Sequence, residues 1–294
     1  MCNTCWVAKW CLGVLLSLGL STQTWGQFDT IPITPYALGG STVAASLGSE
    51  SVLHNPAGVL GVQDYQIDLG YADSFSAVQS GWLSVGKRVL KNTVVNLAIP
   101  VTMVQHDTTV ENTIGQAEVV GNFQDLQTAA IVSVASELKP GIVVGLNGKY
   151  EMHQIAEEQT AGFALDAGVQ YYNDMARFGV VLQNIGGKTK LWSSGRSESI
   201  PMTVGVGTQV MLPFGVTVLG DIRLTEDVRV IGLGIMGTLN QYLTVFGGVA
   251  DVGVSNTLRM GMALDLSGFA LKYAVSVHEE LGVAHRFGIC FTAF

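Results

Sequence analysis

The sequence predicts an all-β fold, a transmembrane antiparallel β-barrel of about 14 strands preceded by an N-terminal hatch segment. Three observations carry this. Charged residues make up 13% of the 294 positions, against roughly 25% in soluble domains, and mean hydropathy is positive at +0.38. Beyond the first segment, no stretch sustains the roughly 20 apolar residues that a spanning helix needs, and a closed barrel is the other structure that satisfies its own backbone in lipid. From Tyr65 onward, segments of about ten residues alternate apolar and polar side chains, the length of a tilted transmembrane strand.

The first element, residues 1–26, reads as a signal peptide. Lys9 is the positive flank, Trp10 to Leu20 the apolar core and Ser21 to Gln27 the polar exit, with Thr24 and Gly26 the small residues before a cut at Gln27. The core is too short to serve as a spanning anchor, and Cys11 stands at its start, the wrong place for a lipoprotein cysteine. Its removal takes Lys9 and no acid, so the net charge moves from −8 to −9. Cys2, Cys5 and Cys11 leave with it, so Cys290 is left without an intrachain disulfide partner. The expected location is a bacterial outer membrane, in contact with outer-membrane lipid. No basic patch invites nucleic acid.

Residues 27–64 form the second element. Within it, residues 36–60 (YALGGSTVAASLGSESVLHNPAGVL) are rich in small side chains and read as a short helix and turn rather than a strand. Asn55-Pro56 favours a turn, because Pro fixes its own φ and restricts the residue before it, while Ala57 and Gly58 keep the bend small. Two readings stand: a hatch that folds into the lumen and exits into the first strand, or an ordinary loop ahead of the barrel.

Residues 65–294 form the barrel. In 142–153, Ile142, Val144, Leu146, Tyr150 and Met152 oppose Asn147, Lys149, Glu151 and His153. Similar alternation runs through 163–172, 214–224, 258–265 and 269–278. Strands are expected near 65–71, 78–88, 93–101, 126–137, 141–152, 161–172, 176–184, 201–211, 214–224, 228–238, 241–251, 257–265, 268–277 and 284–293. The connections at 102–125, 153–160, 185–200 and 278–283 are then mostly long outer loops, and those at 138–140, 173–175, 212–213 and 266–267 are tight inner turns; 225–227 departs from the pattern. Tyr71, Tyr150, Tyr171, Tyr172, Tyr242 and Phe294 fall near strand ends, where aromatic girdles form.

The polar face carries isolated charges of both signs among Gly, Ala and Ser, which suits a narrow lumen. Its expected members are Lys149, Glu151, Asp166, Asp221, Arg223, Arg259, Asp265 and Lys272. They serve either as a solute path and hatch latch or as a structural salt-bridge network. Catalytic chemistry finds no foothold: the five histidines lack metal-ligand spacing, no G-x-S-x-G element occurs, and the Gly-rich stretches lack the Lys-Ser/Thr of a phosphate loop. Neither enzyme activity, nor a cofactor, nor a metal is expected.

Ala37-Leu38-Gly39-Gly40 followed by His54-Asn55-Pro56-Ala57-Gly58 resembles the opening signature of the PorV/PorQ family, whose members resemble the FadL superfamily of fourteen-stranded barrels. The resemblance continues through FALDAGVQYY at 163–172, RFGVVLQNIG at 177–186, IPMTVGVG at 200–207 and LGVAHRFGICF at 281–291, nearly the whole mature chain. Two departures stand out: His54 replaces the usual aromatic residue, and Leu47-Gly48-Ser49-Glu50-Ser51 holds one acid where the family has paired Asp residues. The resemblance marks Gly39, Gly40, Asn55, Pro56, Ala57 and Gly58 as the hatch motif. It implies an accessory of protein secretion and surface attachment of type IX kind, with secreted cargo proteins or secretion-machinery components as partners and the acidic stretch with Asp107, Glu111, Glu118 and Asp125 as contact surface. The alternatives are a FadL-like transporter of hydrophobic small molecules, with Trp82, Phe123, Leu191 and Trp192 as pocket candidates, or a structural outer-membrane protein.

Overall fold

The structure, a computed structural model, describes residues 32–75, 78–111, 117–189, 195, 199–226, 228–253, 257–278 and 282–293. The expected signal peptide lies outside the described residues, as do Leu191, Trp192 and Phe294. The side chains of Asp107, Glu111 and Glu118 fall outside them as well.

The described residues open on a short helix, α1 (Ile33–Ala37), followed by two 3₁₀ turns, Gly48–Leu53 and Pro56–Gly61. Among the described residues fourteen strands follow. The first seven are β1 (Tyr65–Ser74), β2 (Val78–Leu90), β3 (Thr93–Glu111), β4 (Ala117–Lys139), β5 (Ile142–Ile155), β6 (Glu158–Tyr172) and β7 (Ala176–Thr189). The rest are β8 (Thr203–Leu212), β9 (Val216–Thr225), β10 (Val228–Thr238), β11 (Leu243–Ala250), β12 (Thr257–Asp265), β13 (Phe269–His278) and β14 (Gly282–Ala293). Each pairs antiparallel with its sequence neighbours, and β14 returns to β1 with Tyr65 opposite Ala293 and Ser74 opposite Ala284, closing a barrel.

Alternation sets the two faces, and they are inverted relative to a water-soluble protein. Phe163 is 58% exposed while its chain neighbour Ala164 is 3% exposed. The same holds around the wall: Leu146, Leu165, Val206, Ile222, Leu258 and Met262 point out, and Asn147, Asp166, Gly207, Asp221, Arg259 and Gly261 point in. An apolar exterior on a closed barrel is the arrangement a bilayer demands. Tyr71, Tyr171 and Tyr242 stand exposed on this outer surface. Tyr150 is half-buried and packs at a tilt against Phe163 with ring centres 4.8 Å apart, and the Tyr172 hydroxyl donates to Glu137 Oε1 at 2.6 Å.

The turns at the end where β1 begins and β14 finishes are built by local side-chain hydrogen bonds. Asn173 Oδ1 accepts the N–H groups of Met175 and Ala176, both at 2.9 Å. Asn240 Oδ1 does the same for Tyr242 and Leu243 at 2.8 and 3.0 Å. Here Asp265 departs from expectation. It is exposed, and its carboxylate accepts the Ser267 N–H at 3.1 Å, because the last residue of β12 already belongs to the turn.

The expected long loop at 102–125 is a second correction. β3 and β4 pair as far as Glu111 with Ala117, leaving only 112–116 between them. Likewise β5 and β6 run to Ile155 and Glu158, and β7 continues to Thr189. Above the apolar band both faces of a strand can be polar, so alternation stops reporting the strand. Asp125 is consequently no part of a solvated loop. It is 6% exposed, inside the wall, with an oxygen 2.8 Å from His153 Nε2.

Candidate functional site

The residues from Ile33 to Val62 are buried almost without exception, and what buries them is the inner wall. α1 lies against β11 to β14, the first 3₁₀ turn against β1 to β3, and the second against β3 to β6. Two apolar clusters result. One joins Val52, Leu53, Val59 and Val62 to Trp82, Val94, Ala98 and Ile131; the other joins Ile33, Tyr36, Ala37 and Leu38 to Leu219 and Phe246. Leu38, Val52 and Val59 are fully buried, each contributing about 1.5–3 kcal/mol of burial to the seating of the segment.

Glycine on the inner face makes the fit possible. A β-carbon at Gly145 of β5 would overlap the Pro56–Ala57 backbone, one at Gly179 of β7 the Val43–Ala44 backbone, and one at Gly248 of β11 the Leu38–Gly39 backbone. The abundance of this residue, 36 in the chain, thus has a partial origin in the close approach of two backbones. Within the segment, Gly39 and Gly40 take φ of +67° and +77°, and a β-carbon at Gly39 would press on the carbonyls of Leu233 and Val249.

The segment's own backbone polar groups, which lack sheet partners, are satisfied by side chains of the wall. Gln170 Nε2 donates to the carbonyls of Val43 and Ala45 at 3.0 and 2.9 Å. Asn147 Nδ2 donates to Val52 O at 2.8 Å, and Gln183 Nε2 to Leu53 O at 2.6 Å. Val43 N–H donates to Asp221 Oδ2 at 2.7 Å, and Arg223 Nη2 donates to Gly40 O at 3.3 Å. At the exit, Arg88 Nη2 donates to the carbonyls of Leu60 and Val62 at 2.8 and 2.5 Å.

Asn55 organises the bend. Its Oδ1 accepts the Ala57 N–H at 3.0 Å, capping the turn that Pro56 begins, and its Nδ2 donates to Val43 O at 2.7 Å. Gly58 is required in its place, because a β-carbon there would strike the Ala45 carbonyl and Ser51.

An ion pair joins segment to wall directly. Lys272 Nζ lies 2.8 Å from Glu50 Oε2 and 3.3 Å from Asp68 Oδ1, and Gln66 Nε2 donates to Asp68 Oδ2 at 2.6 Å. The other oxygen of Glu50 accepts the N–H groups of Ile33 and Thr34 at 3.0 and 3.3 Å, capping α1, which has no cap of its own. Cys290 is buried and free nearby on β14.

The expected lumen residues therefore separate into groups. Lys272, Asp221 and Arg223 touch the segment. Lys149 lies 2.9 Å from Asp166 and 3.8 Å from Glu151, and its ammonium donates to Asn184 Oδ1. Asn147 links that cluster to the segment, since it also donates to Asp166 Oδ2 at 2.8 Å. Asn184 is reached because β7 carries two register shifts against β6, and at φ +59° its N–H donates to Asp166 Oδ1 at 2.9 Å. Arg259 stacks on Tyr36, and Asp265 stands apart at its turn. Of the pocket candidates, Trp82 is 3% exposed inside the first apolar cluster, while Phe123 is half-buried on β4 beyond it. Among the described residues no group of His, Cys, Asp or Glu is arranged to hold a metal ion.

Glu50, Asp68, Tyr36 and Arg286 are the site residues that alternation did not single out. A signal for Glu50 exists: it is the only Asp, Glu, Lys or Arg from Thr30 to Gln63, and a lone charge in an apolar segment needs a buried partner.

No family model and no curated protein matches the chain. Solved structures do. The chain is similar to the Pseudomonas putida toluene transporter TodX, at 11% identity over 90% of this chain and 98% of that one, with a TM-score of 0.68. It is similar to the Ralstonia pickettii toluene transporter TbuX at 12% identity over 89% and 98%, with a TM-score of 0.62. It is also similar to a Pseudomonas aeruginosa FadL homologue at 8% identity over 89% and 97%, with a TM-score of 0.57. At these identities what is shared is the fold, a closed fourteen-stranded antiparallel barrel.

Proposed function

We propose that this barrel is a non-enzymatic channel of the bacterial outer membrane that passes hydrophobic small molecules, with the segment from Ile33 to Val62 as its hatch. The observation that carries the reading is how this segment is held. It lies inside the barrel, yet no part of it joins the sheet; side-chain hydrogen bonds, an ion pair and apolar contacts hold it there. A plug held this way can shift without breaking the wall, whereas a strand cannot.

Two further points support the reading. The lumen offers apolar surface where the plug meets the wall, around Trp82, Val94 and Ile131, so a moving segment would uncover a lining suited to apolar solutes. The structures similar to this fold include barrels described as toluene transporters and a monoaromatic hydrocarbon channel. The secretion role implied by the PorV/PorQ resemblance has no structural observation of its own behind it, so transport is the reading taken forward.

The test is uptake. In a Gram-negative host without a hydrocarbon channel, expression of the chain is expected to raise entry of labelled toluene well above the empty vector, with little effect on a labelled sugar. Equal toluene entry with and without the protein would overturn the reading.

A further inference from the structure

Two arginines of the inner wall lack what buried charges normally have. Arg259 on β12 and Arg286 on β14 both face the lumen, and Arg286 is 4% exposed. Neither has a carboxylate within ion-pair distance among the described residues. Among the described residues, the Nε atoms of both are buried with no hydrogen-bond partner. Their contacts are instead with one aromatic ring. The guanidinium carbon of Arg286 lies 3.7 Å from the centre of the Tyr36 ring and that of Arg259 4.2 Å from the same centre. Arg286 Nη2 makes a long contact to Ser74 Oγ at 3.4 Å, and the Tyr36 hydroxyl is engaged with Ser276 Oγ at 2.5 Å.

The balance does not close on these groups alone. A cation over a ring gains less than taking a guanidinium out of water costs. Here two like charges share one ring, which adds repulsion. Of the acids of the lumen, Glu50 and Asp68 hold Lys272, Asp166 holds Lys149, Asp125 holds His153 and Asp221 accepts the Val43 N–H with one oxygen; Asp251, just after β11, acts on Arg259 only from beyond ion-pair distance, and among the described residues no acid acts on Arg286. Arg223, the nearest further cation on β9, reaches to the Gly40 carbonyl and brings no negative charge. What is missing, among the described residues, is an anion in contact with either guanidinium.

We propose that Arg259 and Arg286, set around Tyr36, form a binding site in the barrel lumen for an oxyanion group such as sulfate, phosphate or carboxylate. Planar guanidinium groups supply paired donors matched to such oxygens. Because Tyr36 belongs to the N-terminal segment and the arginines to the wall, the bound anion clamps the segment in place. The site does not depend on what the barrel transports. The group arrives either as a free ion or as the head of an amphiphile, and one chemistry serves both.

The experiment is equilibrium dialysis of the full barrel, folded in a non-ionic detergent, with labelled sulfate at constant ionic strength. One sulfate per chain is expected. Arg259→Gln, which removes the half-buried arginine, is expected to weaken binding about tenfold, the loss of one charge-assisted contact. Arg229→Gln, an exposed arginine on β10, is expected to leave it unchanged. An alkyl sulfate below its micelle concentration separates the sources: tighter binding than inorganic sulfate identifies an amphiphile head, equal binding a free ion. No sulfate bound by the unaltered barrel, or equal binding by it and a folded Arg259→Gln, would overturn the proposal; migration before and after boiling shows whether the variant is folded. Toluene uptake is read separately, so failure of this site and failure of the channel reading are distinguishable.

Discussion

Glu50 of the N-terminal segment and Lys272 of the barrel wall approach to 2.8 Å, and the second oxygen of the same carboxylate caps the helix that opens the segment. One acid thus fastens the segment to the wall and fixes the segment's own first turn. Both side chains are almost fully enclosed, at 2% and 11% exposure, so the consequences of removing either are large and unequal.

Lys272→Met strands two carboxylates, Glu50 and Asp68, in the lumen, and the expected loss is about 3–5 kcal/mol. Glu50→Gln leaves Lys272 its Asp68 partner at 3.3 Å and is expected to cost about 1–3 kcal/mol. Urea unfolding in detergent reads both. The reverse order of the two variants would contradict this account of the latch.

The inner-face glycines give a steric prediction. Gly145→Ala places a methyl on the Pro56–Ala57 backbone, while Gly148→Ala meets open space. The first is expected to expose residues 32–62 to protease in the folded barrel, and the second to leave them protected. Equal protection in both variants would show that the segment does not depend on this contact.

Asn55→Ala removes a turn cap and the donor to Val43 O together, an expected loss of about 1–2 kcal/mol, read as a lower unfolding temperature. A loss confined to a few tenths would mean that Pro56 alone shapes the bend.

The outer face makes its own prediction. Leu165 stands in the middle of β6 and is exposed, so Leu165→Arg is expected to cost about 2–4 kcal/mol in lipid vesicles. A neutral result there would speak against a bilayer around this face.

The strand count and the inside and outside of the wall were legible because a membrane barrel writes them into period-two alternation, as in Phe163, Leu165, Ala167 and Val169 against Ala164, Asp166 and Gln170. The upper parts of β3 and β4 were not, since outside the bilayer neither face must be apolar. The bend at Asn55-Pro56 was readable from local chemistry alone. The latch was half legible: alternation pointed to Lys272, while its partner sits 222 positions earlier in a segment with no strand period. Asp265 misled because parity holds to the last residue of a strand and the turn then takes over. The pairing of Arg286 with Tyr36 joins one end of the chain to the other, and no local pattern encodes it.

The central claim is that the segment from Ile33 to Val62 must move for hydrophobic solutes to pass. A β-carbon at Gly86 of β2 would lie 3.0 Å from the Ser49 hydroxyl oxygen, close enough for the double variant Ser49→Cys, Gly86→Cys to bridge segment and wall, and Cys290 is buried out of competition. Toluene uptake by cells carrying this variant, with and without a membrane-permeant reductant, is the direct measurement. Uptake that is low when the bridge is closed and returns to the unaltered level on reduction is the predicted result. Equal uptake in both states, with the bridge shown to form, would contradict the account.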